Sequence, residues 1–339
     1  MKSPFVILPG GKIECRVCPH LCKIAEGKSG ICGVRINNGG KPELLSYGAI
    51  SGLAVDPVEK KPLYHYYPGY RILSVGSWGC NMRCDFCQNY HISQEVRINR
   101  EKSIPPSALA SKAMATAMNI GIAYTYNEPA IWYEYVMDTA KLVKSLGMKN
   151  VMVTNGFITP DILSEYLTVT DAFNVDLKAF NDRVYRELTG AGIDPVKKAL
   201  QAVRKAGKHL EITTLVIPGR NDSSGEMEEE VKWIAGELGK GTPLHLSRYF
   251  PVYRRDDPAT PEKKLAELRS VASEYLDYVY IGNSASDAGQ DTNCPRCGQI
   301  ITERRGYEVR HINTSDGRCN SCGETIYPDF TFSSSSKYC

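Results

Sequence analysis

Three cysteines, Cys80, Cys84 and Cys87, stand close together in "GCNMRCDFCQN" (Gly79 to Asn89), and no fourth follows nearby. Four thiolates close a metal site, whereas three leave one position for an exchangeable ligand, the logic by which catalytic zinc keeps an open place. The C-x3-C-x2-C spacing differs from the paired C-x2-C knuckles of structural zinc, and a four-iron cluster normally takes four cysteines. A cluster held here would present an open iron to a small molecule. The alternative is a structural zinc, or a ferredoxin-like cluster whose fourth ligand lies elsewhere in the chain. Two further groups collect Cys15, Cys18, Cys22 and Cys32, then Cys294, Cys297, Cys319 and Cys322, while Cys339 stands apart at the end. In a chain with no export signal, such grouping argues for metal ligation over disulfides, because the cytosol keeps thiols reduced.

The elements that must position these sulfurs are legible in outline. With 339 residues and 42% hydrophobic content, the chain can bury a large core with small appendages. A net charge of +3 from 41 basic and 38 acidic residues, with no long basic run, names no nucleic-acid or membrane partner. The opening "MKSPFVILPGGKIE" is too short and too proline-broken for a signal peptide, and no apolar run approaches the ~18 residues of a membrane span. We therefore expect a soluble, cytoplasmic protein.

From about Arg71 onward, short β-branched runs alternate with helical segments: "RILSVG", "GIAYTY", "NVMVTN", "AFNVDL", "LEITTLVI", "LHLSRY" and "DYVYIG". Such alternation predicts βα units on a parallel sheet, an α/β fold built as a barrel or partial barrel. Thr159-Pro160, Asp194-Pro195 and Thr260-Pro261 each read as a capping side chain before a proline at the start of a helix. Trp132, Val136, Ala140, Val143 and Leu146 recur at gaps of three and four, one apolar helix face. In barrels of this kind the chemistry sits at the C-terminal ends of the strands. Those ends carry "YTYNEP", "VTNG" and "NVDLKAF", with His245 and Arg248 on a later strand; a lone strand histidine such as His245 is more often a packing residue than a catalyst. Asp176 and Lys178 flank Leu177, so the period of two places both on one face. They can serve a ligand or simply pair with each other. "INNGGKP" (Ile36 to Pro42) reads as a turn-rich link closing an N-terminal module, and "SSSSK" is low-complexity. Asp56 to Gly69, "DPVEKKPLYHYYPG", reads as a proline-pinned arm laid across the cluster mouth.

"CNMRCDFC" after a predicted strand resembles the C-x3-C-x-aromatic-C signature of radical S-adenosylmethionine (radical SAM) enzymes. Together with "CRVCPHLCKIAEGKSGICGVR", the arm, "YTYNEP" and the terminal cysteine pairs, it resembles the radical enzyme family of the AmmeMemoRadiSam system, related to pyruvate formate-lyase activating enzymes. The resemblance implies a partial (βα)6-type radical SAM barrel over residues 49–284, flanked by a Cys-rich module at 1–48 and a zinc-ribbon or rubredoxin-like module at 285–339. It implies a [4Fe-4S] cluster on Cys80, Cys84 and Cys87, with S-adenosylmethionine (SAM) chelated at the open iron. Reductive cleavage would then give a 5′-deoxyadenosyl radical that takes hydrogen from a protein or small molecule, with flavodoxin or ferredoxin as the type of reductant. Phe86 would pack near the adenine. Tyr126, Asn127 and Glu128 stand where the family binds the methionyl amino group, with Glu128 as acceptor, although the family's two glycines are absent and Asn127 could instead cap the helix entered at Pro129. Asn155, Asp176 and Lys178 match segments that line the ribose and carboxylate.

For the flanks, "CPRCG" and "CNSCG" form paired knuckles that suit zinc, or iron as in rubredoxin, in a closed structural site. Cys15, Cys18, Cys22 and Cys32 have a last spacing irregular for either metal class, and zinc and a second iron-sulfur cluster are even readings. His20 could replace one cysteine there, or be exposed beside Pro19. Two functional alternatives accompany the radical enzyme: an activating enzyme for a glycyl-radical protein, and a non-enzymatic iron-sulfur protein for electron transfer or redox sensing.

Overall fold

The computed structural model describes residues 3–98 and 103–328. The serine run near the C-terminus and Cys339 lie outside the described residues. Its centre is an eight-stranded sheet, numbered here β1 (Gly52–Pro57), β2 (Arg71–Gly76), β3 (Asn119–Tyr124), β4 (Lys149–Thr154), β5 (Ala172–Asp176), β6 (His209–Val216), β7 (Leu244–Arg248) and β8 (Val279–Gly282). The strands lie in sequence order; β1 runs antiparallel to β2, and β2 through β8 are parallel. β1 and β8 are the two ends of the sheet, so the barrel is partial.

All seven β-branched runs become strands because each is buried on both faces, as a parallel sheet covered by helices requires. The outward residues, such as Leu73, Met152, Phe173, Val175, Ile212, Leu244 and Leu246, pack with the helices into one large core. Trp132, Val136, Ala140 and Val143 are buried under that layer, but Leu146, past the helix Tyr133–Ser145, is 42% exposed. The proline-marked helices begin where expected to within a residue: Pro160–Val169, Asp194–Lys205 and Glu262–Ser273. Thr159 stands at the N-cap of the first, yet its hydroxyl donates 2.7 Å to the carbonyl of Arg16 instead of capping the helix.

Two expectations are corrected. Residues 36–42 are no link: Arg35–Asn38 and Lys41–Leu44 pair as a hairpin turned at Gly39-Gly40, the short Gly-rich loop that a tight hairpin needs. The arm after β1 does not cross the cluster mouth. It folds under the N-terminal ends of the strands, where Leu63 and Tyr66 pack with Ile72, Ala123, Val151 and Ala172 to fill the barrel floor. Glu211, fully buried near the start of β6, fixes it there. Its carboxylate accepts from the backbone N–H groups of Tyr64 (3.0 Å) and His65 (2.8 Å), and from Nε2 of His209 (2.9 Å) and His245 (2.7 Å). Burial would raise the Glu211 pKa, but the two imidazole N–H donors outweigh it and hold the carboxyl well below its usual range. His245 is thus a satisfied packing histidine. The C-terminal strands Ile300–Arg305 and Glu308–His311 dock on the same floor: buried Arg304 donates to the Tyr64 carbonyl (2.9 Å), and the His65 ring lies 3.1 Å from the Ile326 carbonyl.

Candidate active site at the cysteine loop

The loop carrying Cys80, Cys84 and Cys87 leaves the C-terminal end of β2, and the end of β3 holds its entry. Asn127 accepts from the Ser77 N–H through Oδ1 (2.9 Å) and donates through Nδ2 to the Gly79 carbonyl (2.9 Å). Gly79 has φ +83°, and a Cβ there would lie 2.4 Å from the Cys32 carbonyl oxygen, so the turn into Cys80 admits glycine alone. Met82 donates its N–H to Cys80 Sγ at 3.4 Å, and Ser93 Oγ lies 3.1 Å from Cys87 Sγ. Arg255 pairs with Asp85 at 2.9 Å, and the Arg254 N–H reaches the Asp85 carbonyl at 3.0 Å, tying the loop to the segment after β7.

The ends of β4 and β5 complete the rim. Asn155 Nδ2 donates to Asn81 Oδ1 at 2.8 Å and lies 3.8 Å from Cys80 Sγ, while Asn81 donates to the Phe157 carbonyl at 2.8 Å. Asp176 and Lys178 form an ion pair at 2.9 Å, and the Lys178 ammonium lies 5.7 Å from the centre of the Phe86 ring. Burial disfavours the Lys178 charge, but Asp176 and Cys84 outweigh it, so the lysine is held firmly cationic. Burial pushes the Cys84 thiol up to about 12 against the pull of Lys178, and burial with help from Glu128 raises Cys80 well above its usual range. Thiols so placed lose their protons when they bind a metal, and Lys178 is the cation facing the charge that results.

Several predicted residues have contacts of their own within the chain. Glu128 is 2% exposed and its carboxylate is already engaged, accepting from the Ala130 N–H (2.8 Å), Thr154 Oγ1 (2.7 Å) and the Asn155 N–H (2.8 Å). It is therefore Glu128, not Asn127, that caps the short helix entered at Pro129. Burial, opposed by these hydrogen bonds, raises its pKa to about 7. Phe86 is buried in the main core, and Tyr126, at φ +70°, turns its hydroxyl to Asp56 at 2.8 Å. Arg248 pairs with Glu262. Asn81 and Ser93 were not singled out from the sequence; a polar residue inside a cysteine loop, and one six residues beyond it, carry no periodic signal.

Three soft thiolates on one loop, ringed by Asn155, Asp176 and Lys178, fit an iron-sulfur cluster with an open iron better than a closed ion site. The contrast is within the chain. At the C-terminal knuckles the sulfurs of Cys294 and Cys322 are 3.5 Å apart and those of Cys297 and Cys319 3.6 Å, and all four lie within 4.8 Å of one another. That is the spacing of four ligands about one tetrahedral ion, for which Zn–S bonds of ~2.3 Å give separations of ~3.8 Å. Cys15, Cys18, Cys22 and Cys32 instead line a cavity with Val17, Ile24, Ile31, Arg35 and Ile131. His20 lies between two of these cysteines, and its Nε2 donates to the Asn81 carbonyl at 2.8 Å, which turns that nitrogen toward the Cys80 loop.

Comparison with known proteins agrees with this geometry. Residues 76–233 match the model of the radical SAM superfamily. An uncharacterized protein of Methanocaldococcus jannaschii is 37% identical over 332 residues, covering 94% of this chain and 96% of its own. Pyruvate formate-lyase 1-activating enzyme of Escherichia coli is 26% identical over 227 residues, 61% of this chain and 90% of that one. A radical SAM methyltransferase from Sphaerobacter thermophilus, at 17% identity, shares the fold with a TM-score of 0.53 over 69% of this chain and 71% of its own. The chain belongs to the radical SAM superfamily. Within it, the chain is similar to activating enzymes of glycyl-radical proteins, and membership implies a [4Fe-4S] cluster and SAM. Among the described residues, no helix is long and apolar enough to cross a membrane.

Proposed function

We propose that this chain is a cytoplasmic radical SAM enzyme whose Cys80, Cys84 and Cys87 hold a [4Fe-4S] cluster, with SAM on the open iron. The observation that carries the reading is that the cysteine loop meets the polar ends of β4 and β5: Asn155 lies 3.8 Å from Cys80 Sγ, and the charges of Asp176 and Lys178 act on Cys84. Held by Cys80, Cys84 and Cys87 and reduced by a flavodoxin- or ferredoxin-type donor, the cluster would supply the electron for reductive cleavage of SAM and so the means of hydrogen abstraction from substrate. The chain's part is positional. Asn127 and Gly79 shape the entry to the loop, Asn81 and Asn155 fix Cys80, and Asp176 with Lys178 offers an ionic face to the zwitterionic end of SAM. Glu128 acts indirectly, by fixing the Asn155 backbone.

For the substrate, similarity to pyruvate formate-lyase 1-activating enzyme favours a glycyl-radical protein, and whole-chain resemblance to the AmmeMemoRadiSam radical enzyme keeps another protein or a small molecule in view. The C-terminal cysteine quartet we assign to a structural zinc, with rubredoxin-type iron as the other metal that four thiolates accept.

Anaerobic reconstitution with iron and sulfide, reduction with dithionite and addition of SAM should release 5′-deoxyadenosine. Cys84→Ala should lose it together with the iron of this site. An intact cluster that leaves SAM uncleaved refutes the proposal.

A further inference from the structure

We infer that Cys15, Cys18, Cys22 and Cys32 ligate a second [4Fe-4S] cluster, placed against the cysteine loop as its electron donor; the donor role rests on the radical SAM reading above, and the site itself does not. Four thiolates carry the same charge toward zinc as toward a cluster, so charge does not discriminate, and geometry does. A single ion draws four sulfurs nearly into contact, as at the C-terminal quartet. Around the N-terminal four there is an internal space instead, walled by Val17, Ile24, Ile31 and Ile131 as well as by sulfur. Among the described residues only the C-terminal quartet brings its ligand atoms within 4.8 Å of one another, and four ligands on the corners of a cubane stand farther apart than four on one ion.

The surroundings fit a resident anion. Arg35 lines the same cavity at 1% exposure, with both terminal nitrogens on Glu134 (2.9 and 2.6 Å) and Nε on the Ile131 carbonyl (3.1 Å). The Glu134 carboxylate already meets its charge, so the guanidinium adds local positive potential on the cysteine side of the pair and no net charge.

The ligand loops of the two sites touch. The Cys32 carbonyl abuts Gly79, which is bonded to Cys80; Arg83 donates to the Ile31 carbonyl; His20 donates to the Asn81 carbonyl; and Cys18 shares the buried cluster that contains Met82 and Cys84. One electron passing from a flavodoxin- or ferredoxin-type donor to the outer cluster, and from it to the loop cluster, needs no proton and no further reactant.

The test uses the full chain, reconstituted anaerobically and purified free of loose iron. Inorganic sulfide is the readout, since neither zinc nor a rubredoxin-type iron carries any. Wild type should hold about eight sulfides per chain and the Cys80→Ala/Cys84→Ala/Cys87→Ala variant about four, with a reducible cluster signal by electron paramagnetic resonance. About four sulfides in wild type and none in the variant, with zinc in the N-terminal site, overturns the assignment. Fully reduced wild type should also show spectra broadened by coupling between two neighbouring spins, and the triple variant should not. Two clusters without broadening overturn the donor role. If the variant holds its sulfide but wild type never cleaves SAM, the proposed function fails and this site stands.

Discussion

Glu211→Gln tests how the barrel floor is held. The carboxylate accepts four hydrogen bonds at 2.7 to 3.0 Å, two from backbone N–H groups of the arm and two from imidazoles. A glutamine keeps one acceptor oxygen and turns an NH2 group toward the remaining donors, leaving one buried backbone N–H unpaired and one imidazole either unpaired or forced into its other tautomer. Each costs about 1–3 kcal/mol, and breaking a buried charge-assisted network typically costs about 3–5 kcal/mol, which we take as the expected loss. That is a large part of a typical domain's net ~5–15 kcal/mol. Urea unfolding at neutral pH, with the bound metals kept constant, should show a lower midpoint at similar slope, and hydrogen exchange should show early loss of protection at the Tyr64 and His65 amides. The sign with pH is also set. Because the folded pKa lies below the unfolded one, the Glu211 contribution is present above the ordinary carboxylate range and fades as pH falls through the folded value. Wild type should therefore converge on the variant in acid. A loss below about 1 kcal/mol with unchanged amide protection would show that the arm is held by packing alone.

Two other substitutions probe the ends of the argument. Gly79→Ala introduces a Cβ at φ +83° and 2.4 Å from the Cys32 carbonyl, so the loop must shift; we expect at least about 1–3 kcal/mol of lost stability by thermal unfolding and less iron on reconstitution, and a variant matching wild type in both refutes the close contact. Glu230 is buried with a 2.6 Å bond from Thr214, and burial raises its pKa to about 8, so its protonated form fits the fold. Stability from this group is full below about pH 4.5 and lost as pH rises through about 8. Glu230→Gln, mimicking the protonated acid, should be the more stable protein at pH 9, by an amount on the order of 3–5 kcal/mol, with the gap closing in acid; equal stabilities at pH 9 would refute it.

The parallel strands were legible because each is a short β-branched run between helical segments, and the cysteine loop because its spacing is unusual. β1 was missed: "GLAVDP" opens on glycine, includes alanine and ends in proline, and pairing with β2 rather than propensity makes it a strand. The arm was read correctly as an arm and placed at the wrong end, because its partners, Glu211 and Arg304, lie far along the chain and look like ordinary charged residues. Glu128 was found by its place after β3, but sequence order could not show that Thr154 and Asn155 on the neighbouring strand already occupy its oxygens. Asp176 and Lys178 were placed on one face by their spacing, and they meet there.

Docking of Arg304 and the Ile326 carbonyl onto Tyr64 and His65 has a consequence for biosynthesis. The floor of the barrel waits for residues that follow the last strand of the sheet, whereas the cysteine loop and its N-terminal neighbour precede β3. Domains fold as units during synthesis, at about 5–20 residues per second. The mouth, which needs Arg255 on Asp85, is thus complete in sequence before Arg304 and Ile326 are made, so its residues can meet while the floor still lacks its C-terminal cover.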